Sequence, residues 1–215
     1  MPHIKPAFEK VTPGFGSSIL VKKHTENCKM KSAFWHFHPE IELVYVNKGQ
    51  GKRHIGNHLS YFNNSQLILL GSNLPHHGFT DRLTSNGSET LIQFKPDFLG
   101  ETFFKIPEMQ NIVQLFERGK KGILFKPETK KVVGPKMENL VNYNGFDRIV
   151  KLLEILCKFP PKFIAAVCAV PSQIKFEKFD TLSPVGMAEY AIILQVEPLA
   201  QLAAGTTLLT VKLCS

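Results

Sequence analysis

Two histidines one residue apart, with a glutamate four positions after the second, occur in "HFHPEIELVYVNKGQG": His36, His38 and Glu42. Neutral imidazoles with one carboxylate suit first-row divalent ions such as Zn, Fe, Mn or Ni and leave positions open for water or a small ligand. In an extended strand alternate residues share a face, so the three point the same way, together with Val44 and Val46, provided Pro39 adds no bulge. A fourth candidate is His76 in "LLGSNLPHHG", where a Pro-His turn at a strand end could bring an imidazole across to the others. Valines in register with His36, His38 and Glu42 favour an inward-facing side. The opposite face, with Ile41, Leu43 and Tyr45, is also apolar, so parity leaves the inner side open. The plainer alternative makes His36 and His38 hydrogen-bonded interior residues, with Glu42 paired to a base such as Arg53. Trp35 reads either as a stacking surface for a sugar or aromatic ligand or as a core aromatic.

Short strands must position these residues. "SSILVKK", "SAFWHF", "IELVYVN", "GKRHI", "HLSYF", "SQLILL" and "ETLIQF" follow one another closely between Ser17 and Phe94, the pattern of an all-β sandwich or barrel. "NKGQG" reads as a turn between Val46 and Lys52, and Gly56-Asn57 as a two-residue hairpin turn. After Phe94 the spacing becomes helical: Ile112, Leu115 and Phe116 first, then Glu128 to Tyr143, then Phe146 to Phe159. In the last of these Phe146, Ile149, Val150, Leu153 and Leu156 form an apolar stripe that Leu152 and Ile155 widen. Such faces need the sheet or a second subunit to cover them.

The chain has 215 residues, 43% of them hydrophobic and 20% charged, which allows one buried core with a small appendage and excludes a disordered protein. A net charge of +8 is compatible with an anionic partner, but the basic residues are scattered or paired, as at Lys22-Lys23 and Lys130-Lys131, and favour nucleic acid only weakly. Cys28, Cys157, Cys168 and Cys214 are irregularly spaced, and the start of the chain carries no apolar export segment, so a reducing cytoplasm is expected. No run reaches the roughly 18 apolar residues that span a bilayer, so no membrane association is expected.

The motif at His36, His38, Glu42 and Gly49 resembles the first motif of the cupins, although Met30 stands where that motif begins with glycine. "NSQLILLGSNLPHHG" resembles their second motif, with Asn64-Ser65-Gln66 in place of the usual Pro-Gly-Asp turn and His76 at its histidine. More specifically, "FHPEIELVYVNKGQGKRHIGNHLSYF", "LILLGSNLPHHG", "LIQFKPDFLGETFF", "IPEMQNIVQLFERGKKGILF" and "FDRIVKLLEILCKF" are similar, in that order, to the sensor domain of AraC-type transcription regulators, from about Trp35 to Phe159.

That resemblance implies a mostly β fold with helices: a cupin-type double-stranded β-helix barrel over residues 1–100 and a helical pair for packing or dimerisation over 101–160. A linker at 161–185 and a short helical remnant at 186–215 would follow. It implies a small-molecule effector in the barrel, bound near His36, His38, Glu42 and His76, a homodimer, and a regulator without enzymatic activity or catalytic residues. The stretch "AEYAIILQVEPLAQLAAGTTLLTVKLCS" is similar to the beginning of the family's first helix-turn-helix, and the expectation is that specific DNA binding, present in intact relatives, is lost here. Two other functions are compatible with the residues: a metal-dependent cupin enzyme of dioxygenase or isomerase type with the same four as ligands, and a silencing partner that pairs with an intact paralogue.

Overall fold

The computed structural model describes residues 5–26, 34–159 and 165–166. The chain divides into Met1–Ser172 and Gln173–Ser215. The second part, with the whole expected helix-turn-helix remnant, lies outside the described residues.

The strands are β1 (Ala7–Phe8), β2 (Ile19–Thr25), β3 (Trp35–Phe37), β4 (Ile41–Ile55), β5 (His58–Leu70), β6 (His76–His77), β7 (Leu83–Phe94), β8 (Ile123–Leu124) and β9 (Ala165–Ala166). The α-helices are α1 (Gln110–Gly119), α2 (Pro127–Asn139) and α3 (Gly145–Leu156). The fold is mostly β with a few helices. The pairing of β9 with β8 falls inside the segment expected to be linker.

One long hairpin organises the sheet. β4 and β5 pair from Glu42↔Leu70 to Ile55↔His58 around the Gly56-Asn57 turn, where Gly56 takes φ 52°. The first half of β4 also pairs with β7, which pairs with β2, and the far half of β5 pairs with β8. At its other end β4 reaches β6 through Ile55↔His76, β6 pairs with β3, and β3 takes β1 as a parallel neighbour. The hairpin thus belongs to two groups of strands.

Between those groups the ladder slips by one residue at Asn47/Gly49, with Lys48 at φ 60°, Gly51 at φ 147° and, on β5, Asn64 at φ 79°. An extra residue on one strand bends it and increases its twist while leaving the ladder intact on either side. "NKGQG" is therefore a bulge inside one strand rather than a turn between two, and "HLSYF" and "SQLILL" are likewise a single strand.

Two apolar clusters decide which face is inner. Val44, Val46 and Ile55 of β4 pack with Phe62, Ile68 and Phe79 on one face of the bent hairpin. Ile41 and Leu43 face the other way and share a core with Leu115 of α1, Met137 of α2 and Leu152 and Leu156 of α3. The outer face of the sheet is apolar because helices cover it. On α3, Leu152, Ile155 and Leu156 are buried in that contact, Ile149, Val150 and Leu153 are half-buried, and Phe146 is 77% exposed. Among the described residues no helix is long and apolar enough to cross a membrane.

Candidate metal centre

His36 lies in β3, which stops at Phe37 as the chain turns through Pro39-Glu40, and Glu42 is the second residue of β4. His76 opens β6 and sits directly across from His36 in the antiparallel register. The interruption at Pro39 does not separate the residues: one donor atom from each of His36, His38, Glu42 and His76 lies within 4.8 Å of every other, and all four side chains are buried. The ring centres of His36 and His76 are 4.2 Å apart, and those of His38 and His76 5.2 Å.

The backbone orients each ring in the same way. Nδ1 of His36 donates to the carbonyl of Phe34 at 2.9 Å, Nδ1 of His38 to that of Glu40 at 3.2 Å, and Nδ1 of His76 to that of Leu74 at 2.8 Å. A carbonyl oxygen only accepts, so in each ring the proton of the neutral form is held at Nδ1 and the Nε2 lone pair is the free one. Fixing the tautomer from behind in this manner is what metal-binding histidines require.

At the centre, His38 Nε2 is 2.9 Å from Glu42 Oε2, and the Gln93 amide donates to the same oxygen at 2.6 Å. His76 Nε2 is 3.7 Å from that oxygen, beyond hydrogen-bond length, and is buried with no hydrogen-bond partner. An orphaned buried nitrogen costs about 1–3 kcal/mol unless something binds it. Donor atoms about 2.0–2.2 Å from a shared ion lie roughly 3–4 Å apart, so the four fit a first-row divalent ion after an inward movement of about 1 Å. Residues, geometry and orphaned nitrogen agree.

The charges respond to this crowding. Burial alone would raise the Glu42 carboxyl, but the bond from His38 and the imidazole of His76 close by overcome it and hold the group well below the usual carboxylate range. Burial alone would lower His38, and the bond to Glu42 outweighs it, so its pKa is raised. The same balance raises His36, whose Nε2 faces Glu9 Oε2 at 3.2 Å. Glu9 in turn is lowered, first by its bond to His36.

All four expected residues are therefore together, and three neighbours join them that the sequence reading did not single out. Gln93 pairs in register with Glu42 and carried a readable signal, since Glu89, Leu91 and Gln93 alternate onto the inner side of β7. Glu9 arrives through the parallel pairing of β1 with β3, which no local pattern announces. Glu40, buried, sets its Oε2 3.7 Å from His38 Nδ1. Arg53 does not pair with Glu42; it donates to Gln66 and Ser60 instead. Trp35 alternates away from His36 and stacks on the His54 ring at 4.1 Å, nearly parallel.

No protein-family model matches the chain, and no curated protein matches it. Solved structures do. The chain is similar to ToxT, an AraC-family regulator. ToxT from Vibrio cholerae bound to (E)-4-(8-methylnaphthalen-1-yl)but-3-enoic acid shares 16% identity at a TM-score of 0.39, over 65% of this chain and 54% of that one. An apo ToxT variant shares 17% at a TM-score of 0.40, over 66% and 54%. Wild-type ToxT bound to an unsaturated fatty acid shares 14% at 0.34, over 65% and 52%. The chain spans about half the length of these solved structures.

Proposed function

We propose that this chain is the effector-sensing and dimerising portion of an AraC-family transcription regulator, built on a cupin-type barrel. The interior would hold a small-molecule effector at a divalent ion carried by His36, His38, Glu42 and His76. The observation that carries the reading is the convergence of three imidazoles, each with Nδ1 tied to a backbone carbonyl, on one buried carboxylate. The five ordered segments from Trp35 to Phe159 supply the family, and the bent β4–β5 hairpin with both its faces in apolar cores supports the barrel.

When bound, the ion supplies Lewis acidity and open coordination positions for an effector's oxygen atoms. The protein's own residues do the rest. The carbonyls of Phe34, Glu40 and Leu74 aim the rings, Gln93 holds Glu42, and Val44, Val46 and Ile68 keep the surroundings dry. The exposed Phe146 at the start of α3, next to the half-buried Ile149 and Leu153, would mark the dimerisation surface.

Elemental analysis of protein purified without chelator tests the reading. About one first-row ion per chain is expected, lost together with an EDTA-sensitive part of the melting temperature in the double variant His36→Ala, His38→Ala. Metal-free wild-type protein whose melting is indifferent to EDTA and to added zinc contradicts it. A metal-dependent cupin enzyme would use the same four ligands; the two readings part on the fate of a bound small molecule, which a sensor returns unchanged in mass and an enzyme does not.

A further inference from the structure

The four-residue centre is not the only buried polar group on this face of the hairpin. Arg53 stands on the inward face of β4, two residues before Ile55, and is 5% exposed. Its Nε donates to Gln66 Oε1 at 2.8 Å and its Nη1 to Ser60 Oγ at 3.1 Å, with the guanidinium 5.8 Å from the centre of the Phe62 ring. Both acceptors are neutral. None of the ion pairs among the described residues involves Arg53. Burial holds its pKa below the usual guanidinium value.

Gln66 sharpens the anomaly. It is 2% exposed and accepts from Arg53 through Oε1, while its Nε2 is buried with no hydrogen-bond partner. A buried cation without an anion in ion-pair contact is costly, and so is a buried donor without an acceptor. As core packing the pair is a standing defect. As half of a recognition site it is complementary to an anion, because a guanidinium has five N–H donors, only two are used here by the bonds to Gln66 and Ser60, and a carboxylate accepts two in parallel.

Position gives the group its use. Ile55 pairs with His76, and Arg53 lies about 7 Å back along the same strand. Ile55 and Phe62, apolar and inward, flank the guanidinium on the two strands of the hairpin.

We propose that Arg53, with the Gln66 amide beside it, is a carboxylate-binding subsite, and that the effector is therefore a small organic acid. This deepens the reading of the interior as an effector chamber and rests on it. The acid's carboxylate takes the remaining guanidinium N–H groups and the Gln66 Nε2–H, and its other end extends toward His36, His38, Glu42 and His76. Rigid bidentate geometry is why arginine rather than lysine is suited to the position.

The test uses the full chain and a series of dicarboxylates from malonate to adipate, with succinamide as the uncharged control, read as melting temperature with and without zinc. At least one dicarboxylate is expected to raise the wild-type melting temperature saturably, and succinamide to leave it unchanged. Arg53→Met should abolish that shift and Gln66→Leu weaken the apparent affinity about tenfold, both with unaltered zinc uptake. Without ligand, Arg53→Met should melt at or above wild type, because an uncompensated buried charge has been removed. The proposal is overturned if no dicarboxylate shifts the wild type, if Arg53→Met responds as wild type does, or if ligand-free Arg53→Met melts several degrees lower. An Arg53-dependent shift in protein that takes up no zinc would sink the metal reading and leave this subsite standing; zinc uptake without any carboxylate shift would do the reverse.

Discussion

His38 Nε2 and Glu42 Oε2 stand 2.9 Å apart with their side chains 1% and 6% exposed, an imidazole and a carboxylate locked together away from water. The His38 pKa is raised from its ordinary 6.5 and that of Glu42 lies well below its ordinary 4.5. A raised histidine adds stability that is full below its unfolded value and is lost as pH rises through the folded one. A depressed glutamate adds stability that is full above its unfolded value and is lost as pH falls through the folded one. Metal-free protein is therefore expected to be most stable between about 4.5 and 6.5 and to weaken on both sides. Zinc reverses the upper limb, since its ligands must shed protons. Urea midpoints against pH, in EDTA and in zinc, check both statements; a metal-free midpoint that rises from pH 6 to 8 would contradict them.

Gln93 holds the shared carboxylate from the other side, its amide 2.6 Å from Glu42 Oε2. Gln93→Leu removes that donor and leaves His38 as the hydrogen-bond partner of the buried oxygen. The metal-free protein should lose about 1–3 kcal/mol, and metal affinity should fall about 10–100-fold, with all four ligands still present. Zinc titration against a competing chelator measures the second effect.

Gly71 marks how closely the helices approach the sheet. Its N–H donates to the Gly119 carbonyl at the end of α1, and a Cβ at Gly71 would come within 2.6 Å of the Gly119 and Lys120 backbones. Backbone cannot step aside as a side chain can. Gly71→Ala should cost about 1–3 kcal/mol, read as a lower urea midpoint.

Opposite sides of α3 should answer differently to truncation. Leu152 is fully buried against the sheet, and Leu152→Ala should cost about 2–5 kcal/mol. Phe146 is exposed, and Phe146→Ala should change the stability of a single chain by less than about 0.5 kcal/mol while raising the concentration at which dimers dissociate. Sedimentation over a range of concentrations separates the two effects.

The residues that define the centre were legible because their chemistry is rare. Three histidines and a glutamate at strand parity stand out against an apolar background, and their convergence needed only one strand-end turn. Gln93 and Arg53 stood out less, because glutamine and arginine are ordinary on half-buried strands: Gln93 offered only its alternation with Glu89 and Leu91, and Arg53 suggested a pairing with Glu42 that its bonds to Gln66 and Ser60 replace. β1 and β6 have two residues each, too few to carry a period, and so Glu9 reached His36 unannounced.

The strand count was misread at "NKGQG" for a physical reason. A lysine and a glycine at positive φ, Lys48 and Gly51, are turn chemistry, but here they serve a bulge that bends β4 without ending it. The ambiguity of the second face, with Ile41 and Leu43, came from the same economy of cores. A sheet with an interior on one side and helices on the other is apolar on both, and alternation cannot rank them.

X-ray absorption at the zinc edge, on protein loaded with one equivalent, reads the ligands of the ion themselves. Three imidazole nitrogens and a carboxylate oxygen at about 2.0–2.2 Å are predicted, with the nitrogen count reduced by one in His76→Ala. A spectrum of hydrated zinc, or one that His76→Ala leaves unchanged, would contradict the assignment of His36, His38, Glu42 and His76 to a single ion.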